Sequence, residues 1–253
     1  MMQTPSLLLC LLSAALVMAQ GAGAQTSATP ERLSPQVLDV QVTHPVRAAY
    51  WLSLPKGYSM DPAQKWPLVI FLHGAGESGN DLEMLKKHGL PKLIAEGKEF
   101  PFVVVAPQAP DARKRWNVEV LNRLLDEVLA RHNVDPDRVY LTGLSMGGFG
   151  TWAWATENPE RFAAVAPIAG GGVAHYAARH MKNLPIWAFH GEKDTVVLPQ
   201  ETFNVVNALT RLGAPEVRLT VYPEAAHDAW TQAYDTQALY TWLLSHRRAG
   251  SKP

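Results

Sequence analysis

The chain has 253 residues, 47% hydrophobic and 18% charged, which is enough for one domain with a substantial core. Lys and Arg number 23, Asp and Glu also 23, and the formal net charge is +0. That balance provides neither the basic surface a nucleic-acid partner needs nor one for anionic lipid.

The first segment stands apart. Leu7 to Ala19 is mostly Leu, Ala, Val and Ser without a charge, too short to span a bilayer, and fits the apolar core of a secretory signal. Ala22-Gly23-Ala24 offers a cleavage site that makes Gln25 the new N-terminus, although no Lys or Arg precedes the apolar run. The single cysteine, Cys10, lies inside this segment, and Leu7-Leu8-Leu9 before it lacks the small residues of a lipidation site. Residues 1–24 therefore read as a signal peptide. The expectation is an exported protein, periplasmic or extracellular, with no stable membrane anchor once the signal is removed. The mature chain then has no disulfide, no cysteine metal site and no thiol nucleophile. Residues 25–35 are a polar lead-in, and 36–248 are read as the catalytic domain.

Val37–Val42 and Tyr50–Leu54 alternate apolar and polar residues around His44-Pro45, which predicts an antiparallel opening hairpin. Trp66–Leu72 is a continuous apolar run, as expected of a strand buried on both faces, and ends in His73-Gly74-Ala75-Gly76-Glu77. A helix is expected from about Leu82 to Glu96, broken near Pro91. Phe102–Ala106 is the next strand, followed by a loop with Arg113, Arg115 and Trp116. Asn117 can cap a helix over Val118–His132, where Leu121, Leu124, Leu125, Val128 and Leu129 keep helical spacing.

Val139–Thr142 is a short strand running into Gly143-Leu144-Ser145-Met146-Gly147, with helix formers and aromatics behind it. Strand, sharp turn and helix are the setting of a Gly-x-Ser-x-Gly nucleophile elbow. The flanking glycines let strand and helix approach closely, and the helix start aims N–H groups at the serine. The same pattern also suits an ordinary turn with a capping serine. Ala163–Ala169, Ile186–His190 and Val217–Tyr222 are further strands, with helices at about Pro199–Leu212 and Ala233–Arg247. Only Val173–Asn183 separates the first two of these strands, leaving no room for a large lid. The alternation predicts an α/β fold: a mainly parallel sheet with helices on both faces.

In such sheets the chemistry sits at the carboxyl ends of strands. A serine hydroxyl needs a base, and the base needs an acid that orients it. Ser145, Asp194 and His227 follow three strands in the order Ser, Asp, His. Glu192 lies less deep in its loop than Asp194, and Asp228 adjoins the histidine it would have to orient. His190 reads as a hydrogen-bonded strand histidine, and His132 and His246 as helix-end residues. His175 and His180 are loop residues that could border a cleft. The oxyanion donors should be the N–H of Met146 and one from the loop after Leu72, either Ala75 or, as runner-up, Gly76. His73 would brace that loop. Glu77 would either hydrogen-bond the loop or touch substrate. Arg113, Arg115 and Trp116 either border the acyl or alcohol side or form a solvated loop around a packing Trp.

These pieces resemble an α/β-hydrolase. The carriers are Leu72-His73-Gly74-Ala75-Gly76-Glu77, Gly143–Gly148, His190-Gly191-Glu192-Lys193-Asp194 and His227-Asp228-Ala229-Trp230. They are similar to secreted serine esterases of the phospholipase/carboxylesterase-like, dienelactone-hydrolase-like and "predicted peptidase" groups, related to polyhydroxybutyrate depolymerase-like and feruloyl-esterase-like proteins. The resemblance covers about Val37 to Arg247. It implies an acyl-enzyme mechanism on small-molecule or polymer-derived esters. A serine peptidase on the same machinery, or a silent binding protein of the same fold, stays open. The serine nucleophile argues against true dienelactone hydrolase activity, which uses cysteine. No cofactor or metal is expected: there is no cysteine cluster, no His-Glu-x-x-His and no dinucleotide glycine fingerprint.

Overall fold

The computed structural model describes residues 37, 38, 40, 41, 45–248 and 250. The signal segment and the lead-in lie outside the described residues. The chain divides between His44 and Pro45. In the first unit, Val37, Leu38, Val40 and Gln41 are exposed and carry no regular structure.

In the second unit seven strands form one sheet: β1 (Ala49–Ser53), β2 (Trp66–Leu72), β3 (Val103–Gln108), β4 (Val134–Leu144), β5 (Ala164–Ile168), β6 (Ile186–Gly191) and β7 (Val217–Tyr222). Their order is β1-β3-β2-β4-β5-β6-β7. All pairings are parallel except β1 with β3, where Tyr50 faces Pro107 and Trp51 faces Ala106. This corrects the expected hairpin. The antiparallel strand exists, but its partner is β3, about fifty residues on. Alternation along Tyr50–Leu54 reports one solvated face, and it carries no information on which strand lies alongside.

The helices are α1 (Gly89–Ala95), α2 (Val118–Arg131), α3 (Met146–Glu157), α4 (Ala174–His180), α5 (Pro199–Arg211), α6 (Trp230–Asp235) and α7 (Gln237–Leu244). They cover both faces of the sheet. Leu68, Ile70 and Leu72 of β2 join α2, α3, α4 and α5 in one apolar cluster. Val69 and Phe71 point the other way, to α1, α6 and α7. The period of two along β2 thus feeds two cores, which is why the run is apolar without interruption.

Two helices differ from expectation. The first apolar stretch is a 3-10 segment, Leu82–Lys87, followed by α1, and the break falls at His88-Gly89 rather than Pro91. Pro91 sits in the first turn of α1, where its missing N–H costs nothing. Gly89 makes the break, with φ of +61° and a position that would drive a Cβ to 2.3 Å from the Phe71 ring. The closing helix is split at Thr236, whose extended backbone separates α6 from α7. The split lets the Tyr240 hydroxyl donate to the Tyr234 carbonyl, 2.6 Å away. His246 is not a solvated end residue. Its ring is half-buried, bonded through Nδ1 to Trp242 O at 2.7 Å and facing Glu216 at 3.0 Å.

Candidate active site

The local sequence decides the turn at Ser145. Its φ is +53° and its ψ −117°, in a region that L-residues rarely occupy. A Cβ on Gly147 would lie 1.9 Å from the Leu72 carbonyl oxygen, and one on Gly143 2.5 Å from the Gly147 oxygen. Only glycine lets the start of α3 press against the end of β2. Ser145 N–H donates to Ile168 O at 3.0 Å, tying the turn to β5 as well. Behind it α3 is buried nearly all round, with Trp152 and Trp154 fully enclosed, so the serine stands on a rigid base.

Three loops from separate strand ends meet here. Ser145 Oγ lies 2.8 Å from His227 Nε2, and His227 Nδ1 lies 2.7 Å from Asp194 Oδ2. The other Asp194 oxygen, Oδ1, accepts the N–H groups of Val196 and Val197, both at 2.9 Å. Carboxylate beside Nδ1 requires the imidazole proton on Nδ1, which leaves the Nε2 lone pair for the serine hydroxyl. Burial pushes the Asp194 carboxyl up. The His227 hydrogen bond and the two valine N–H groups outweigh it, and the net position is below the ordinary carboxylate value. Trp230 meets the His227 ring edge-on, centroids 5.1 Å apart, and limits its rotation. Glu192 and Asp228 are exposed and make no bond to this ring.

The loop after β2 lies against the serine: a Cβ on Gly74 would sit 3.6 Å from Ser145 Cβ. Ala75 opens a 3-10 turn, Ala75–Glu77, and Met146 opens α3. First-turn N–H groups have no acceptor inside their own helix and are available to an anion. His73 braces this loop. Its Nδ1 donates to the Gly74 carbonyl at 2.5 Å and its Nε2 accepts Ala109 N–H at 2.9 Å. Burial holds it neutral, with the pKa lowered to about 4 against the Gly74 contact, which raises it. Gln108 adds a second clamp, donating to Glu77 O at 2.8 Å and Asp81 O at 2.7 Å.

Glu77 does not reach the cleft. It is buried, and its Oε2 accepts Gly74 N–H at 2.9 Å. A carboxylate three residues past an N–H closes that turn on itself, and the bond turns the side chain inward. Trp116 does line a cleft, of about 520 Å³, together with Arg115, Met146, Phe149, Trp152 and Tyr176. Its walls are mostly apolar, and it runs along α3 from the residue after the serine. Arg113 pairs with Asp111 instead, and His175 and His180 stay outside the lining. The contributions of Phe149 and Tyr176 were not legible in the sequence, since an aromatic on a helix reads first as core.

The family model described as "Dienelactone hydrolase family" matches residues 108–238, just over half of the chain and the part that holds Ser145, Asp194 and His227. The chain belongs to the dienelactone hydrolase family. Its α/β-hydrolase fold is also that of a solved structure described as a thermostable esterase, at 33% identity and a TM-score of 0.67, covering 79% of this chain and 59% of that one. Among curated proteins, this family member is 30% identical over 141 residues to a bifunctional acetylxylan esterase/xylanase of Neocallimastix patriciarum, covering 53% of this chain and 20% of the relative. It is 36% identical over 121 residues to poly(3-hydroxyalkanoate) depolymerase C of Paucimonas lemoignei, covering 42% of this chain and 28% of the relative. The chain thus spans less than a third of either curated relative's length. No helix among the described residues is long and apolar enough to cross a membrane.

Proposed function

We propose that this dienelactone hydrolase family member is a carboxylester hydrolase that works through an acyl-enzyme on Ser145. The observation that carries the reading is the unbroken series Ser145 Oγ, His227 and Asp194 Oδ2, with contacts of 2.8 and 2.7 Å. His227 takes the serine proton as Oγ attacks the ester carbonyl. Asp194 holds the ring in the required tautomer and balances the imidazolium. The N–H groups of Met146 and Ala75 receive the oxyanion, and His227 returns the proton to the leaving alcohol. Water then repeats the sequence on the acyl group. The esterase names of its relatives support the reaction class, and the cleft beside Met146 suits soluble esters or the ends of a polymer chain.

The test is fluorophosphonate labelling of the purified protein, together with a panel of nitrophenyl and natural-type esters beside short peptide amides. Labelling at Ser145 and turnover of short acyl esters are expected. Folded protein that neither labels nor turns over any activated ester would end the reading, and preference for the amides would make it a peptidase on the same machinery.

We also propose export, on the strength of the uncharged Leu7–Ala19 run and the Ala22-Gly23-Ala24 site. N-terminal sequencing of protein recovered from an export-competent host should begin near Gln25. Recovery of intact Met1 in that preparation would refute it.

A further inference from the structure

Behind Asp194 lies a buried histidine for which the proposed reaction has no use. His190 is the penultimate residue of β6, and its side chain is completely enclosed. Its Nε2 lies 2.9 Å from Val197 O and 3.4 Å from Asp194 Oδ2. Both are acceptors, so Nε2 carries the ring's proton whatever the charge on the ring. Its Nδ1 lies 2.7 Å from Thr202 Oγ1 on α5; on a neutral ring protonated at Nε2 this nitrogen accepts the single Thr202 proton, and the 2.5 Å approach of that hydroxyl to Gly170 O receives the proton only when the ring is charged. The ring is thus anchored from the end of β5 and from α5.

The geometry makes Val197 the link. Its carbonyl receives the His190 proton, and its N–H is one of the two that hold Asp194 Oδ1. The His190 N–H also presents positive charge to Oδ2, the oxygen that binds His227. From these contacts we propose that His190 is a positioning residue: it fixes the Asp194 carboxylate through the backbone of Val197, whose N–H and C=O lie on either side of one Cα, and limits how tightly that carboxylate holds a protonated His227. The inference rests on the triad reading.

The consequence is an acidic limit on activity set from behind the acid. His227 must be neutral to take the serine proton. A carboxylate already facing an N–H attracts an imidazolium less strongly, so removing that N–H should move the acidic limit of activity to higher pH. Burial pushes His190 itself down, against Val197 O and Asp194, which raise it, and so favours its neutral form. The other titratable groups near His227 are Asp228, exposed and next in the chain, and His88, which meets the Trp230 ring edge-on with centroids 5.7 Å apart.

The test measures fluorophosphonate labelling and ester hydrolysis against pH for wild type, His190→Leu and His190→Gln. Leucine removes the donor, whereas glutamine can place an N–H near the Nε2 position. His190→Leu is expected to lose about 10- to 100-fold in kcat with KM nearly unchanged, as a small misplacement of the acid would cause. Its acidic limb should move up by about half a pH unit or more. His190→Gln should recover the limb and most of the rate. Equal losses in both variants with an unmoved limb would reduce His190 to a packing residue. Should His190→Leu not fold, NMR of the histidine side-chain nitrogens in wild type decides. A His190 Nε2 that keeps its proton across the neutral range supports the inference, and an unprotonated one overturns it. Wild type that folds but does not label removes the triad reading and this inference together, whereas labelling with no limb shift in His190→Leu removes the inference alone.

Discussion

Ser145→Ala and Ser145→Gly are each expected to lower kcat on short acyl esters by about 10⁶-fold, and the glycine variant to be the more stable of the two by about 1 kcal/mol. The first part follows from removing the atom that attacks. The second follows from the backbone. At φ +53° and ψ −117° an alanine keeps the steric conflict that the native serine carries, whereas glycine relieves it. Glycine also loses more conformational freedom on folding, which sets the net gain near 1 kcal/mol rather than higher. Thermal or urea unfolding of the two inactive proteins measures the difference. An alanine variant more stable than the glycine one would mean that the turn stores no strain at this residue, and residual activity near the native level would remove Ser145 from the reaction.

Asp194→Asn is expected to lower kcat by about 10⁴-fold while KM changes little. The surrounding donors fix how an asparagine must sit. Val196 and Val197 N–H both point at Oδ1, so the amide oxygen has to stay there and the NH₂ has to replace Oδ2. That NH₂ then faces His227 Nδ1, 2.7 Å away. Nδ1 can only accept, the ring proton moves to Nε2, and Nε2 offers a donor to Ser145 where a lone pair is needed. The His190 N–H, 3.4 Å from the same position, opposes the amide further. Steady-state kinetics and fluorophosphonate labelling should show the same loss, because both need the same deprotonated serine. A variant within tenfold of wild type would mean that Asp194 does not orient His227.

The sequence was informative where a motif carries its own steric or chemical necessity. Ser145 stands out in the sequence because a serine between glycines at the end of a buried strand marks a sharp strand-to-helix turn, and the structure has that turn there. Asp194 and His227 followed from chain order and strand ends, and the structure brings their side chains into contact. Glu77 was ambiguous because its role depends on one hydrogen bond to Gly74 N–H, which turns the side chain inward. His190 read as a hydrogen-bonded strand histidine, and its hydrogen bonds are present. That one of its neighbours would be Asp194 Oδ2 depended on a loop folding back by four residues. Tyr176 and Phe149 were missed as cleft residues because each reads equally well as packing.

The amino-acid order alone determined the alternation of elements, the apolar strands, the glycine-lined turn at Ser145 and the three strand ends that converge. These are local properties, set by side-chain period, by the absence of a Cβ and by the residue types that proton transfer requires. The partner of β1, the breaks at Gly89 and Thr236, the inward turn of Glu77, the walls of the cleft and the anchoring of His190 were decided by tertiary structure. Each depends on which surface arrives opposite, and a linear pattern shows which face of an element is apolar without showing what will cover it.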